Sequence, residues 1–321
     1  MKINASKNLF MLIMMLSTIM TMSSNNMLMT WIALEINMIS IMPILTKSKK
    51  STDQPMKYFI IQSTSSSLML MSIMLNSITE ESPTSSIILM TSMLMKMGMM
   101  PFHLWFPPLM NKMTWENCLI LSTIQKIPPT IIMTQMMNIK TMLIPMAISS
   151  FMGPISALKQ LSMKKIMAYS SISNSTWLIS SLYLSKQMFL MFFLTYSTLT
   201  MMMMSKMNKN NILYMNQVTT MSYMKKLSLS ITMLSMSGMP PLLGFLPKWM
   251  ILQNLIKFST ILPMMMILSS ILATFIYIKM TNPMMTNLTM MKKTKKEKKS
   301  KNYETIINLL GIPMMMTLKC L

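Results

Sequence analysis

An apolar stretch of the chain is interrupted by the segment Ser237-Gly-Met-Pro-Pro-Leu-Leu-Gly-Phe-Leu-Pro-Lys-Trp249. Proline removes a backbone donor and breaks the helical hydrogen-bond ladder, so this segment predicts an interrupted helix. A second segment, Met95-Lys-Met-Gly-Met-Met-Pro-Phe-His-Leu-Trp-Phe-Pro107, shares the pattern Gly-Met-x-Pro followed by a proline six residues later. Chance similarity in a methionine-rich chain is the alternative. We interpret the two segments as copies of one interrupted helix.

The chain contains eleven apolar stretches that are long enough to cross a membrane. A spanning helix needs about 20 apolar residues, and only helices and closed barrels satisfy their backbone groups in lipid. The stretches lack the alternation of barrel strands, so we predict an all-α, polytopic membrane protein with about 11 transmembrane helices. The predicted spans are residues 9–24, 27–46, 57–79, 85–105, 114–137, 139–157, 164–184, 187–205, 227–255, 259–279 and 303–321.

The two interrupted segments lie 140 residues, or five predicted spans, apart. An odd number of spans inverts the second copy relative to the first, and inverted repeats with broken helices are typical of transporters. We predict a single integral membrane domain over residues 1–321, with a first repeat at about 9–137 and a second at about 139–279. A basic matrix loop at 280–302 and a C-terminal helix at 303–321 follow.

The composition points to a mitochondrial gene. The chain has 55 methionines, and all 29 of its basic residues are lysine. A gene rich in A and T explains the absence of arginine, but the methionine excess then requires that ATA encodes methionine, as in mitochondrial genetic systems. Methionine as a lipid-facing filler is the alternative, and it leaves the missing arginine unexplained. We therefore expect the inner mitochondrial membrane as the location.

The lysines are distributed unequally between the two sides of the predicted spans. Twenty-two lie at the N-terminus or after even-numbered spans, four lie on the opposite side and three lie inside spans. The positive-inside rule then places the N-terminus in the matrix and the C-terminus in the intermembrane space. The net charge of +22 fits lysines that meet anionic headgroups, so phospholipids, including cardiolipin, are expected partners. Nucleic acid is not expected, because a bare charge run is a weak signal for it.

Four ionisable residues lie inside predicted spans: Glu35, Lys96, Lys126 and Lys248. A charge in hydrocarbon is costly and is rarely kept without a purpose. Because burial disfavours the charged form of lysine, such a side chain can exchange its proton near neutral pH. A row of these groups bridged by water forms a proton path. The four residues are therefore our candidates for proton translocation.

Some of these candidates have alternative roles. Lys248 follows an interruption, where a long side chain can snorkel to the headgroups. Glu35 can serve as a structural partner of one lysine rather than as a proton carrier. His103, the single histidine, either joins the path or satisfies backbone groups freed by the prolines beside it. The second role is favoured for His103.

No site for electron transfer or metal binding is visible in the sequence. The two cysteines, Cys118 and Cys320, lack ligand spacing, and the chain has neither a dinucleotide fingerprint nor paired histidines for haem. We expect no cofactor and no metal site in this chain. The energy for transport is then expected to come from elsewhere.

The interrupted segments belong to a larger set of motifs, of which Gly238–Trp249 is the most specific. The others are Trp31–Met38, Lys57–Phe59, Met95–Trp105, Gln125–Pro128 and Lys165–Ile172. Together these motifs resemble the NADH dehydrogenase subunit 2 family, the mitochondrially encoded membrane subunits of respiratory complex I. The resemblance runs nearly end to end and is closest to an animal, insect-like form.

The resemblance implies an antiporter-like fold of two inverted five-helix repeats. It implies that Glu35 and Lys96 form a charged pair, that Lys126 is the central relay, and that Lys248 lies at the exit or linking position. It further implies a core subunit of NADH:ubiquinone reductase that translocates protons from the matrix to the intermembrane space. Partner subunits would supply the energy and bind NADH, FMN, iron–sulfur clusters and ubiquinone. Other complex I membrane subunits, including neighbouring antiporter-like ones, are the expected partners.

Two other functions stay open from the residues alone. A stand-alone cation/proton antiporter shares the broken helices and buried ions, but it would respond to sodium or potassium without partners. A non-conducting structural membrane subunit would use the buried charges only for pairing, so apolar replacements would leave pumping intact.

Overall fold

The computed structural model describes residues 5–46, 53–79, 83–136 and 139–286. The predicted C-terminal helix at 303–321 lies outside these residues, as does the predicted loop from residue 287 onward. The described elements are α1 Ala5–Ser23, α2 Met27–Thr46, α3 Asp53–Thr79, α4 Pro83–Met97, α5 Phe106–Lys112, α6 Trp115–Ser122, α7 Ile127–Met136, α8 Ile139–Leu158, α9 Met163–Leu184, α10 Lys186–Lys209, α11 Tyr223–Ser237, α12 Phe245–Leu255 and α13 Ile261–Thr286, with short 3₁₀ helices at Ile124–Lys126 and Met215–Thr220.

Helix is the dominant structure throughout the described ranges, and an isolated antiparallel bridge joins Ser162 to Tyr214. The prediction of an all-α fold is thereby confirmed. Five described helical stretches are long and apolar enough to cross a membrane, judged by length and composition. The count of about eleven spans stays a prediction. The five stretches are Met27–Thr46, Asp53–Ile78, Thr141–Leu158, Lys186–Lys209 and Ile261–Asn282.

Three predicted spans are interrupted in the structure. The span at 85–105 ends its regular helix at Met97, and the span at 227–255 is divided into α11 and α12. The span at 114–137 is divided into α6, a 3₁₀ turn and α7. Its two prolines, Pro128 and Pro129, stand in the first turn of α7, where a missing N–H costs no helical hydrogen bond.

Gly98 and Gly238 end their helices with the same backbone geometry. Their φ angles are 65° and 89°, in the left-handed region that is unfavourable for residues with a Cβ. The residue after each glycine donates its amide to a carbonyl in the last turn of the preceding helix, which is a common helix ending. The two bonds are Met99 N to Leu94 O at 3.0 Å and Met239 N to Leu234 O at 3.3 Å. The two copies of the sequence motif therefore end their helices in the same way.

The chain divides into two compact units, Met1–Ser149 and Ser150–Leu321. Within the first, α1 packs against α2 and α3 packs against α4. Within the second, α9 packs against α10 and α11 packs against α13. The boundary falls inside α8. The inverted relation of two repeats stays a prediction.

Serine and threonine hydroxyls bond largely within their own helices. In α9, Ser171 Oγ donates to Ala168 O at 2.7 Å and Ser181 Oγ donates to Leu178 O at 2.7 Å. Such bonds satisfy a hydroxyl without a partner on another helix. The serine-rich α9 can therefore be buried over most of its length.

Candidate functional site

Lys96 and Lys126 line the same small cavity in the first unit. The cavity has a volume of about 30 Å³. Its other polar lining residues include three amides, Asn37, Gln62 and Gln125. Two of the lysines that the sequence singled out are thus brought together around one polar space.

Lys126 is held in the interior by the interruption of its own span. It ends the 3₁₀ helix between α6 and α7, and its exposed fraction is 2%. Its Nζ lies 5.6 Å from the centroid of the Phe106 ring. A cation near an aromatic face is attracted by the quadrupole of the ring, which partly offsets the loss of water.

Lys96 reaches the cavity from the last turn of α4, just before the break at Gly98. Its side chain is half-buried. Its backbone carbonyl accepts a hydrogen bond from Gln62 Nε2 at 3.3 Å. This bond ties α3 to the end of α4, because an amide of one helix satisfies a carbonyl that the break would otherwise leave open.

One amide of the cavity, Asn37, has a donor that a water molecule could bind. Gln125 Nε2 donates to Asn37 Oδ1 at 2.6 Å. Asn37 Nδ2 is buried and, within the described residues, has no hydrogen-bond partner. A cavity needs roughly 10–15 Å³ to hold one water, so this polar space is large enough for one that Asn37 can bind. Water there would lie between groups that carry exchangeable protons.

Glu35 lies on α2 close to this site without lining the cavity. Its side chain is half-buried, and its charge acts on Lys96. No direct ion pair joins Glu35 to Lys96 among the described residues. The structure therefore places the two charges within electrostatic reach but does not bring them into contact.

Lys248 occupies a separate site in the second unit. Its Nζ donates to Ser237 O at 2.8 Å and Met236 O at 3.3 Å, which are carbonyls at the end of α11. It also lies 5.4 Å from the centroid of the Trp177 ring. The side chain has an exposed fraction of 8% and lines a cavity of about 20 Å³ with Asn174. Lys248 therefore does not snorkel, since its ammonium is bonded to interior carbonyls.

His103 lies in the connection between α4 and α5, and it does not line the lysine cavity. Its ring is half-buried, with Nδ1 3.3 Å from Pro101 O. This contact fits the role of satisfying backbone at the break. Among the described residues, no group of three or more His, Cys, Asp and Glu side chains is placed to hold a metal ion.

Three of the lysines assigned to the basic side of the predicted spans are buried at helix ends. Lys164 lies in the first turn of α9, Lys206 in the last turn of α10 and Lys226 in the first turn of α11. Lys206 Nζ donates to Ser228 O at 2.8 Å. A long aliphatic stem packs well in apolar surroundings when its ammonium finds a carbonyl, which explains how this lysine can be buried.

The cavity also contains residues that the search for charges missed. Asn37 and Gln62 are neutral amides, and neither was among the predicted site residues. A signal for Asn37 was present, because it is a polar residue in the same apolar span as Glu35. Gln125 is the direct neighbour of Lys126 in the chain, which makes it visible for the same reason.

Comparisons with known proteins identify the family of this chain. A family model described as NADH:quinone oxidoreductase/Mrp antiporter, transmembrane, matches residues 24–277. The chain is 37% identical to NADH-ubiquinone oxidoreductase chain 2 of Locusta migratoria over 290 residues, which is 87% of this chain and 85% of the relative. It is 34% identical to the protein of the same name from Anopheles gambiae over 262 residues, 78% of this chain and 77% of the relative.

The fold is also similar to that of a solved structure. A chain in the respiratory complex I from Thermus thermophilus with bound aureothin superimposes with a TM-score of 0.82 at 18% identity, covering 98% of this chain and 78% of that one. At this identity the structural similarity shows the fold, whereas the sequence relatives and the family model show the family. The chain belongs to the NADH-ubiquinone oxidoreductase chain 2 family of antiporter-like membrane proteins.

Proposed function

We propose that this chain is a membrane subunit of a proton-translocating NADH:ubiquinone oxidoreductase in the inner mitochondrial membrane. It moves protons from the matrix to the intermembrane space, with its N-terminus in the matrix and its C-terminus in the intermembrane space. Electron transfer in partner subunits, which hold NADH, FMN, iron–sulfur clusters and ubiquinone, drives the movement. The neighbouring antiporter-like subunits and phospholipids, including cardiolipin, complete its surroundings. The names of the sequence relatives support the assignment to this enzyme.

The observation that carries the proton role is the shared cavity of Lys96 and Lys126. Lysine in a low-dielectric interior exchanges its proton more readily than in water, since burial penalises the ammonium. The cavity has room for water, and the amide of Asn37 gives that water a fixed partner. A lysine pair separated by held water is a minimal proton relay.

The relay step conserves both protons and charge. The Lys96 ammonium loses a proton to the cavity water as that water gives one of its own protons to the neutral amine of Lys126. One N–H bond breaks at Lys96 and one forms at Lys126, so the net result is an ammonium at Lys126. A second proton that reaches Lys96 then restores its charge, and Lys126 passes its proton onward.

Glu35 is suited to bias this step, because its charge acts on Lys96. An anion nearby favours the ammonium at Lys96, so movement of Glu35 away from Lys96 releases the proton toward Lys126. Energy from partner subunits enters at this point as a change in the electrostatic surroundings of Glu35. His103 stands outside the relay, since it does not line the cavity.

The test of the relay is Lys126→Met in the intact assembly. We expect NADH oxidation to continue while the number of protons moved per NADH falls, because methionine fills the space without a titratable group. Lys112→Met is the matched control, since Lys112 is exposed at the end of α5 and away from the cavity. A normal proton ratio in Lys126→Met would show that this lysine is not a carrier and would favour a non-conducting structural role.

The assignment to a larger enzyme has its own test. Inner membranes are solubilised in mild detergent, separated on a native gel and stained for NADH dehydrogenase activity, and this chain is located by mass spectrometry. We expect it within the active high-mass band. Migration apart from that activity, together with sodium- or potassium-dependent proton movement, would instead identify a stand-alone antiporter.

A further inference from the structure

A second and much larger cavity lies in the first unit, where the start of α3 meets the connection into α5. Its volume is about 250 Å³, compared with about 30 Å³ for the lysine cavity. The proton relay does not use it. Its lining includes Gln54, Lys57 and Ile60 from α3 and Leu104, Trp105 and Leu109 from the other side.

Two buried polar atoms of this lining have no hydrogen-bond partner among the described residues. Gln54 Oε1 is an acceptor, and its side chain has an exposed fraction of 1%. Trp105 Nε1 is a donor, and the Trp105 side chain lines both this cavity and the lysine cavity. Buried polar groups are nearly always paired in native proteins, so water or a ligand in the cavity must pair with such an acceptor and donor. The ligand must itself supply both a donor and an acceptor.

The charge and the surroundings of the cavity restrict the chemical class of the ligand further. Among the described residues, Lys57, which is exposed, is the charged residue of the lining, and Asp53, one turn earlier, does not line it. Ile60 and Leu104 are 55% and 74% exposed on a helix and a connection that belong to a membrane protein. The cavity therefore offers a cation together with exposed apolar side chains. An anionic amphiphile matches both.

We propose that this cavity binds the headgroup of an anionic phospholipid that carries a free hydroxyl, as phosphatidylglycerol does. The phosphate meets Lys57, Trp105 donates its indole N–H to a phosphate or ester oxygen, and the hydroxyl donates to Gln54 Oε1. The acyl chains run along Ile60 and Leu104, outside a cavity that is too small for them.

Other amphiphiles fit these groups less well. A choline headgroup has no hydroxyl or N–H to give to Gln54, and its positive charge lies opposite Lys57. An oxidised quinone offers only acceptors, so Gln54 Oε1 would stay without a partner. The hydroxyl and the phosphate together set the proposed class of lipid apart from these two amphiphiles.

Photolabelling of the full chain in its native assembly tests the proposal. The assembly is reconstituted in phosphatidylcholine nanodiscs with a trace of a diazirine lipid, either phosphatidylglycerol or phosphatidylcholine, that carries the same label near the ester. We expect the phosphatidylglycerol probe to label peptides covering residues 53–61 and 104–109 about fivefold more than the phosphatidylcholine probe, as one lysine near an anionic headgroup permits. Equal labelling by the two probes would mean ordinary surrounding lipid and would overturn the proposal.

Two variants locate the contacts, and Lys112→Met serves as the control because it removes the same charge away from the cavity. Lys57→Met should lower the preference for phosphatidylglycerol, and Gln54→Leu should lower it by removing the acceptor at similar size. Unchanged preference in both variants would overturn the site. The comparison of the two probes uses the wild-type chain, so it does not depend on whether either variant assembles. Labelling is measured without NADH, so its outcome is separate from that of the proton relay.

Discussion

Lys126 and Lys248 are both buried cations beside an aromatic ring in an interrupted span, yet their surroundings differ. Lys126 lies 5.6 Å from the Phe106 ring and lines a cavity that it shares with Lys96 and three amides. Lys248 lies 5.4 Å from the Trp177 ring, and its ammonium is bonded to two carbonyls at the end of α11. Lys126 therefore lies beside a cavity that can hold water, whereas the ammonium of Lys248 donates to backbone carbonyls.

This difference separates two uses of a broken helix. The carbonyls at a helix C-terminus carry partial negative charge, so an ammonium there stabilises the helix end. In the second unit the break itself supplies the acceptors that hold Lys248. In the first unit the break at Gly98 places Lys96 at a helix end beside a polar cavity. We infer that Lys248 contributes more to stability than Lys126, and that Lys126 contributes more directly to proton exchange.

The largest effect is expected at Gly244, where the backbone at the start of α12 lies close against α11. A Cβ added there would overlap the carbonyl oxygen of Ser235, so Gly244→Ala forces α11 and α12 apart. We expect a loss above about 4 kcal/mol and almost no assembled protein on a native gel. Leu243→Ala is the control, since it alters the next residue without adding an atom at the contact. Normal assembly of Gly244→Ala would show that this approach of the two helices is not required.

The next effect compares the two lysines directly. Lys248→Met leaves Met236 O and Ser237 O without their donor, at a cost of about 3 kcal/mol, because both bonds are charge-assisted. Lys126→Met should cost less stability and remove more proton movement. The measurements are the temperature at which the assembly dissociates and the number of protons moved per NADH. Equal losses of stability in the two variants would contradict the proposed difference between Lys248, as a stabilising lysine, and Lys126, as a proton carrier.

A smaller effect is expected from the glycines that begin the two breaks. Alanine at Gly98 or Gly238 must adopt a left-handed backbone, at about 1–2 kcal/mol each. The new Cβ at residue 238 would also lie 3.0 Å from Lys248 Cδ, whereas at residue 98 it meets Phe106 Cβ at 3.2 Å. Gly238→Ala should therefore reproduce part of the Lys248→Met phenotype, and Gly98→Ala should not. Identical phenotypes would indicate that backbone strain alone matters at both breaks.

The smallest effect is expected at the exposed ion pair of Lys7 and Glu116. Their charged atoms are 2.7 Å apart, but the side chains are 33% and 45% exposed. Solvent screens such a pair, so Glu116→Gln should change stability by less than about 0.5 kcal/mol and leave the proton ratio unchanged. This variant sets the baseline against which the buried lysines are judged. A large loss would mean that the pair holds α1 to the start of α6.

The positions of the helices were largely predictable, because apolar length is visible in a sequence. The span predicted at 27–46 is α2, Met27–Thr46, and the span predicted at 164–184 is α9, Met163–Leu184. The interruptions at Gly98 and Gly238 were predictable from glycine and proline. The end of α13 was not, since it continues to Thr286 past the predicted end at residue 279.

The candidate site was predictable only as a set of residues. Lys96 and Lys126 belong to different helices, and they share a cavity because α4 packs against α7, which is a tertiary event. The sequence also could not separate a snorkelling Lys248 from one bonded to carbonyls, because that choice depends on where α11 ends relative to α12. The cavity amides Asn37, Gln62 and Gln125 were not predicted, because a neutral side chain in an apolar span is a weaker sequence signal than a charged one.

The bonding of hydroxyls inside α9 limits the hydrogen bonds that these side chains can make with water. A serine whose O–H already donates to a carbonyl, as those of Ser171 and Ser181 do, offers a water molecule only its lone pairs. It can receive a hydrogen bond but cannot hand a proton forward until its side chain rotates. Under the proposed function, α9 would therefore pass protons only after its hydroxyls rotate, whereas an ammonium such as that of Lys96 already carries a proton that it can release.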